Sequence, residues 1–150
     1  MKPFYSLLLG LSLLLIGHTT RAQIVRVTNG QNLATLIDGA TVGTTFILEA
    51  GSYGSLTITK RVAIIGPGYL TGNSQLATTG SAMFNTITFK GGSENSLLMS
   101  CVLDGSVNIG TNQVTVSRCL ANSIYIGYDG GYTGYNITDN VNTINATSSK

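Results

Sequence analysis

The segment Leu97–Ile126 is one phrase written almost twice. Leu97-Leu98-Met99-Ser100-Cys101-Val102-Leu103 runs through Asp104-Gly105 to Ser106-Val107-Asn108-Ile109. Val114-Thr115-Val116-Ser117-Arg118-Cys119-Leu120 then runs through Ala121-Asn122 to Ser123-Ile124-Tyr125-Ile126. At an offset of 17, Leu97 repeats as Val114, Met99 as Val116, Leu103 as Leu120, Val107 as Ile124 and Ile109 as Ile126. Each copy is an apolar-alternating run, a small or polar corner and a shorter alternating run. Alternation of period 2 reads as strand, and self-similarity near 20 residues reads as a solenoid whose repeats are stable only when stacked. The apolar columns Leu97/Val114, Met99/Val116 and Val107/Ile124 are the expected core.

The rest of the chain extends the pattern. Tyr135–Ile144 is a third, looser copy, one residue shorter before its corner. Aligning the short runs puts Leu56, Ile87, Val107, Ile124 and Ile144 in one column, with spacings of 31, 20, 17 and 20. The long first spacing contains residues 69–82, a polar, Gly- and Thr-rich stretch read as a loop inserted between rungs. Ile24-Val25-Arg26-Val27-Thr28 alternates and stops at Asn29-Gly30, a turn signal. Leu33, Leu36 and Ile37 have helical spacing between a possible N-cap, Asn32, and a stop, Gly39. This is the one good helix in the chain after residue 22, placed to cover the apolar end of a stack.

The order of these elements resembles the N-terminal region of right-handed parallel β-helix proteins, the pectin-lyase-like superfamily. The matching phrases are Gly43-Thr44-Thr45-Phe46-Ile47-Leu48, Gly51-Ser52-Tyr53, Leu56-Thr57-Ile58 and Val62-Ala63-Ile64-Ile65-Gly66, preceded by the short helix. The resemblance covers roughly residues 31–145. It implies an all-β fold: a right-handed parallel β-helix of about five rungs with an N-terminal cap helix. It does not fix an activity, because the superfamily holds lyases, hydrolases and adhesins.

Residues 1–22 read as a secretory signal peptide. Lys2 precedes the apolar run Leu7–Ile16, which is too short to span a bilayer, and Thr20-Arg21-Ala22 offers small residues at a cleavage site before Gln23. The expected location is therefore secreted, periplasmic or cell-surface, with no membrane span after signal removal. The remaining residues 23–150 suit one β-helix domain. Its tail, Asn145–Lys150, offers no second cap, so the stack is expected either to continue in a longer chain or to associate end to end through its last rung.

Loss of the signal also removes His18, the only histidine, and leaves six basic residues against six acidic ones. A His base, a Ser-His-Asp triad and a His-ligated metal are excluded from the mature chain. Balanced charge without a Lys/Arg cluster argues against nucleic acid as a partner. Charged residues make up 9% of the chain, against ~25% in an average protein. Uncharged Asn, Thr, Ser and Gly take their place, and such side chains stack rung on rung without like-charge repulsion.

Candidate chemistry is sparse. Superfamily lyases hold Ca²⁺ in acidic clusters beside an Arg or Lys base, and the hydrolases use two or three Asp. Here Asp38, Glu49, Glu94, Asp104, Asp129 and Asp139 are scattered. The rung alignment sets Arg118 beside Asp139, the one candidate catalytic pair, though a cross-strand ion pair is the commoner use of such a pair. No cofactor is expected, with Ca²⁺ implied only if the lyase reading holds. The tyrosine-rich stretch Tyr125, Tyr128, Asp129, Tyr132 and Tyr135 is the candidate ligand-binding segment, because Tyr faces stack on sugar rings. The alternative is that these rings pack against the solenoid wall. Cys101 and Cys119 lie on successive rungs in columns offset by one, open either to a disulfide or to two buried thiols. The expected function is a non-catalytic surface protein that presents a solenoid face to a polysaccharide or another protein, the alternative being a polysaccharide lyase, a hydrolase or a remnant of one.

Overall fold

The structure, a computed structural model, describes residues 23–68, 80–127 and 131–146. Residues 1–22, residues 69–79 of the inserted loop, Tyr128, Asp129 and the tail from Thr147 lie outside the described residues. Within them the chain begins with β1 (Ile24–Val27) and α1 (Leu33–Gly39). A first coil follows as β2 (Thr45–Leu48), β3 (Gly51–Ser52) and β4 (Leu56–Ile58), and a second as β5 (Ala63–Ile65), β6 (Ala82–Phe84) and β7 (Ile87–Phe89). In the later coils the second and third strands fuse: β8 (Leu97–Met99) with β9 (Val102–Ile109), β10 (Thr115–Ser117) with β11 (Leu120–Ile126), and β12 (Asn136–Thr138) with β13 (Val141–Ala146).

All pairings are parallel. The first sheet stacks β1, β2, β5, β8, β10 and β12. The second bends into two arms. The leading arm holds β3, β6 and the starts of β9, β11 and β13, and the trailing arm holds β4, β7 and their ends. Over the described residues the chain is a parallel β-helix of about five rungs with one short helix.

Each inward side chain has a counterpart one rung on. Phe46, Ile64, Leu98 and Val116 stack in the first sheet, and Leu56, Ile87, Val107 and Ile124 in the trailing arm, all buried. The trailing-arm column is the one the sequence alignment predicts, including Ile144 opposite Ile124. The first sheet differs. Thr115 lies opposite Leu97 and Val116 opposite Leu98, an offset of 18 rather than 17. Leu98 is therefore the core residue, while Leu97 and Met99 are half-buried on the outer face. The cause is at the corner, where Asp104 and Gly105 of β9 oppose the single residue Asn122 of β11, and the extra residue shifts the register from 18 to 17. In a strand a one-residue slip moves a side chain to the opposite face. A Cβ at Gly105 would collide with the carbonyl oxygen of Asn85 on the rung below, so this corner requires glycine. The strand β6 also corrects the sequence reading, which places residues up to 82 in the loop: its Ala82 and Phe84 are buried.

The corners flanking the first sheet repeat a backbone conformation. Residues leaving it, Ser100, Arg118 and Asp139, have φ of 58°, 53° and 55°. Residues entering it, Asn95 and Gln113, have φ of 61° and 58°, with Gly43 and Gly134 also left-handed at the equivalent positions. A left-handed non-glycine residue costs roughly 1–2 kcal/mol, and the paired strands on both sides hold it there.

The N-terminal end is closed as the sequence predicts. Asn32 Oδ1 accepts the Thr35 N–H at 3.1 Å, capping α1, which buries Leu33 and Ile37 in the core. Lys60 Nζ donates to the carbonyls of Asp38 and Ala40, satisfying the helix C-terminus. Tyr53 explains the Gly-x-Tyr phrase: its hydroxyl donates to the Glu49 carbonyl at 2.8 Å and its ring stacks on Phe84 at 5.5 Å.

The register makes a direct prediction. Leu98→Ala should destabilise the fold by about 2–5 kcal/mol, and Leu97→Ala by about 1 kcal/mol or less, as measured by chemical denaturation. Equal effects would contradict the offset of 18. Val116→Asp or Ile124→Asp, which buries an unpaired charge, should abolish folding.

Candidate functional site

The trailing arm exposes one continuous outward column. Thr57 lies opposite Thr88, Thr88 opposite Asn108, and Asn108 opposite Tyr125, with Asn145 in register beyond. Neighbouring members are ~4.8 Å apart, the strand spacing of a sheet. The column is internally oriented: Ser106 Oγ donates to Asn108 Oδ1 at 3.2 Å, and Asn108 Nδ2 donates to Thr88 Oγ1 at 3.3 Å. It contains no charged side chain, and Tyr125, half-buried, supplies its one aromatic face.

The tyrosine-rich segment divides. Tyr125 is on this column. Gly131–Tyr135 packs against the preceding rung, where Asn112 Oδ1 accepts the Thr133 N–H at 2.9 Å and the Thr133 carbonyl accepts the Gln113 N–H at 2.9 Å. Tyr132 is half-buried. Tyr135 packs against the core in the inward column of Thr44, Val62, Ser96 and Val114. Burial pushes its phenol pKa up, and Tyr132 adds to the shift. Its hydroxyl is buried and has no hydrogen-bond partner among the described residues. Tyr128 and Asp129 lie outside the described residues.

Arg118 and Asp139 are neighbours, because Ser117 pairs with Thr138. Both are exposed and both occupy the left-handed corner, where the Arg118 N–H donates to the Thr138 carbonyl at 3.1 Å. This corner joins the first sheet to the leading arm, so it is separate from the Tyr125 column. Among the described residues no group of three His, Cys, Asp or Glu side chains could hold a metal ion, and no helix is long and apolar enough to cross a membrane.

The corrected register puts Cys101 and Cys119 in one column, 18 residues apart, rather than offset. Both are fully buried free thiols. Cys101 Sγ donates to the Met99 carbonyl at 3.3 Å and Cys119 Sγ to the Ser117 carbonyl at 3.4 Å. Desolvation pushes the Cys101 thiol well up, with Cys119 contributing, and pushes Cys119 up to about 11. One rung on, Asn140 takes the same column: its Oδ1 accepts the Cys119 N–H at 2.8 Å and its Nδ2 donates to the Val116 carbonyl at 2.9 Å.

Two features are absent from the sequence reading. Met83, Val102, Leu120 and Val141 form an outward apolar column on the leading arm, with Met83, Leu120 and Val141 exposed by 40%, 37% and 54%. Its signal in the sequence is the alternation on either side of Leu103 and Ala121, visible only at an offset of 18. Glu94 clasps two rungs: its carboxylate accepts the Thr111 hydroxyl and the Gly92 N–H. The Thr111 bond, then the backbone bonds, hold its pKa below the usual carboxylate value.

Comparison with known proteins finds no matching family model, no matching curated protein and no matching solved structure, so the site rests on the chain's own geometry.

Two pH effects follow. The cysteine pKa values are raised in the fold, so their contribution to stability is complete below the unfolded thiol value of about 8.5 and is lost as pH rises through the folded value. Stability measured by urea titration should fall between about pH 8.5 and 11, and Cys101→Ser/Cys119→Ser should lack this alkaline component. At pH 8 a thiol reagent should label the folded chain far more slowly than the denatured one. The Glu94 pKa is lowered, so its contribution is present above the unfolded value of about 4.3 and is lost as pH falls toward the folded value. Glu94→Gln should remove that acid-side component. A carboxyl titration by NMR with an ordinary midpoint would contradict the clasp.

Proposed function

We propose that the mature chain is a secreted or cell-surface, non-catalytic β-helix of the pectin-lyase-like type that binds neutral polysaccharide along the trailing arm. The observation that carries this reading is the outward column Thr57–Thr88–Asn108–Tyr125. Hydroxyl and amide groups at fixed rung spacing match the hydroxyl groups of an extended sugar chain, and Tyr125 supplies the face on which a ring stacks. The absence of charge from the column favours a neutral ligand over an anionic one. Export through residues 1–22 places the chain where polysaccharide is met, and no cofactor is required.

The catalytic alternative draws on one observation, the adjacency of Arg118 and Asp139. With Arg118 as base beside a metal-binding Asp139, the two would work at a corner rather than on the polar column.

The test is a glycan array and a polysaccharide depolymerisation assay on residues 23–150, with and without Ca²⁺. Binding without cleavage is expected. Tyr125→Ala should weaken it by about 2- to 12-fold, the equivalent of 0.5–1.5 kcal/mol for one aromatic contact, and Asn108→Ala should weaken it further. Depolymerisation that is lost in Arg118→Ala would replace this reading with the catalytic one. An array without binding would end the glycan assignment.

A further inference from the structure

Cys101 and Cys119 are the two cysteines of the chain, and the fold brings them together. The Leu120 N–H donates to the Cys101 carbonyl at 3.0 Å and Leu120 pairs with Val102, so Cys119 stands over Cys101 on the next rung. Register partners on neighbouring strands lie ~4.8 Å apart, inside the range of about 4.4–6.8 Å between Cα atoms that a disulfide spans. Both side chains are fully buried in the core. Each Sγ is turned back along its own rung, Cys101 to the Met99 carbonyl and Cys119 to the Ser117 carbonyl. On the far side of Cys101 there is only Gly66, where a Cβ would come within 3.0 Å of its Sγ, and on the far side of Cys119 the Asn140 side chain takes the Cys119 N–H.

The juxtaposition depends on the register. At an offset of 18 the two thiols share one face and one column. At an offset of 17 Cys119 would stand opposite Val102, which lies on the outward column of the leading arm. Each cysteine follows a left-handed residue, Ser100 at φ 58° and Arg118 at 53°, so both enter the leading arm in the same orientation. A disulfide needs Cβ atoms about 3.5–4.5 Å apart, slightly closer than the rung spacing. Closure therefore draws the two rungs together at a corner, next to the bulge at Asp104 and Gly105 where the pairing is already irregular. The ring so closed encloses residues 102–118, one full coil of the solenoid.

We propose that Cys101 and Cys119 form an oxidation site, whose two thiols close to an inter-rung disulfide when the chain folds in the presence of a small-molecule or protein disulfide. One cysteine thiolate attacks the oxidant's S–S bond and expels half of it as a thiolate. The second cysteine thiolate attacks the cysteine sulfur of the mixed disulfide and expels the other half. One S–S bond forms in the chain and one breaks in the oxidant. Two electrons pass from the cysteines to the oxidant, and the two thiol protons end on its two released thiols. The exchange belongs to the folding chain, because in the finished fold neither sulfur is exposed, and the thiol behaviour described above is that of the reduced form. Export, as proposed above, would bring the chain to oxidising surroundings, and the inference does not otherwise rest on the glycan reading.

The test is refolding of residues 23–150 from urea in mixtures of reduced and oxidised glutathione, quenched with acid and read by intact mass and peptide mapping. A link between Cys101 and Cys119 within one chain, lighter than the dithiol by two hydrogen atoms, is expected. Its equilibrium constant against glutathione should be at least a hundredfold higher under folding conditions than in concentrated urea, the equivalent of about 60 mV. The thermal midpoint of the oxidised chain should exceed that of the reduced chain by roughly 5–15 °C. The variant C101S/V102C moves one thiol to the outer face and should lose the preference for folding conditions, while the wild-type ratio stands as a measurement without it. Cysteines that stay reduced or carry glutathione singly in the folded chain overturn the proposal. So does a link that forms no more favourably than in urea, or one that forms as favourably in C101S/V102C.

Discussion

The structure depends on the parallel hydrogen bond from one rung to the next. No strand of the first sheet exceeds four residues, and a three-residue strand has no stability of its own. What holds it is the neighbour on each side together with the inward side chain that the neighbour stacks upon. The register that sets the backbone bonds also builds the column of Phe46, Ile64, Leu98 and Val116. Burial of this column, at roughly 25 cal/mol per Å² of apolar surface, is the driving force, and the hydrogen bonds fix which residues share it.

That coupling explains which parts of the fold are legible in the sequence. The trailing-arm column is read correctly from alternation alone, because Leu56, Ile87, Val107 and Ile124 are each flanked by polar residues in Thr57, Thr88, Asn108 and Tyr125. The first-sheet column is misread because Leu97-Leu98-Met99 is apolar at every position, so period 2 does not choose a face. Only the bulge at Asp104-Gly105, a matter of backbone pairing, decides that Leu98 points inward. The strand β6 is hidden for a similar reason: Ala82-Met83-Phe84 is short, follows a long polar stretch, and gains its identity from β3 and β9 on either side. The helix is legible because its cap, its spacing and its stop are all local.

The candidate site shows the same division. The tyrosines stand out in the sequence as one cluster, but rung geometry separates them, with Tyr125 on an outward column and Tyr135 against the core. The members that Tyr125 joins, Thr57, Thr88 and Asn108, carry no motif and become a surface only through stacking. A solenoid repeats each outward position at one spacing, so like charges in a column would repel while hydroxyl and amide groups interact favourably. The low charge of the chain and the uncharged face thus have a common cause, and a repeating ligand suits a repeating surface. The left-handed corner shows the converse: Arg118 and Asp139 resemble a catalytic pair in the alignment, yet what they share with Ser100 is a backbone conformation.

The core, the polar column and the cysteine column all depend on the offset between rungs, and its most direct measurement is the NMR coupling carried through the hydrogen bonds themselves. In an isotopically labelled chain of residues 23–150, the amide nitrogen of Leu120 should couple to the carbonyl carbon of Cys101, and that of Thr115 to the carbonyl carbon of Ser96, the donors and acceptors that lie 3.0 and 2.9 Å apart. Coupling of Leu120 to a carbonyl other than that of Cys101, or cross-strand contacts of antiparallel type, would contradict the register and with it both the polar column and the core.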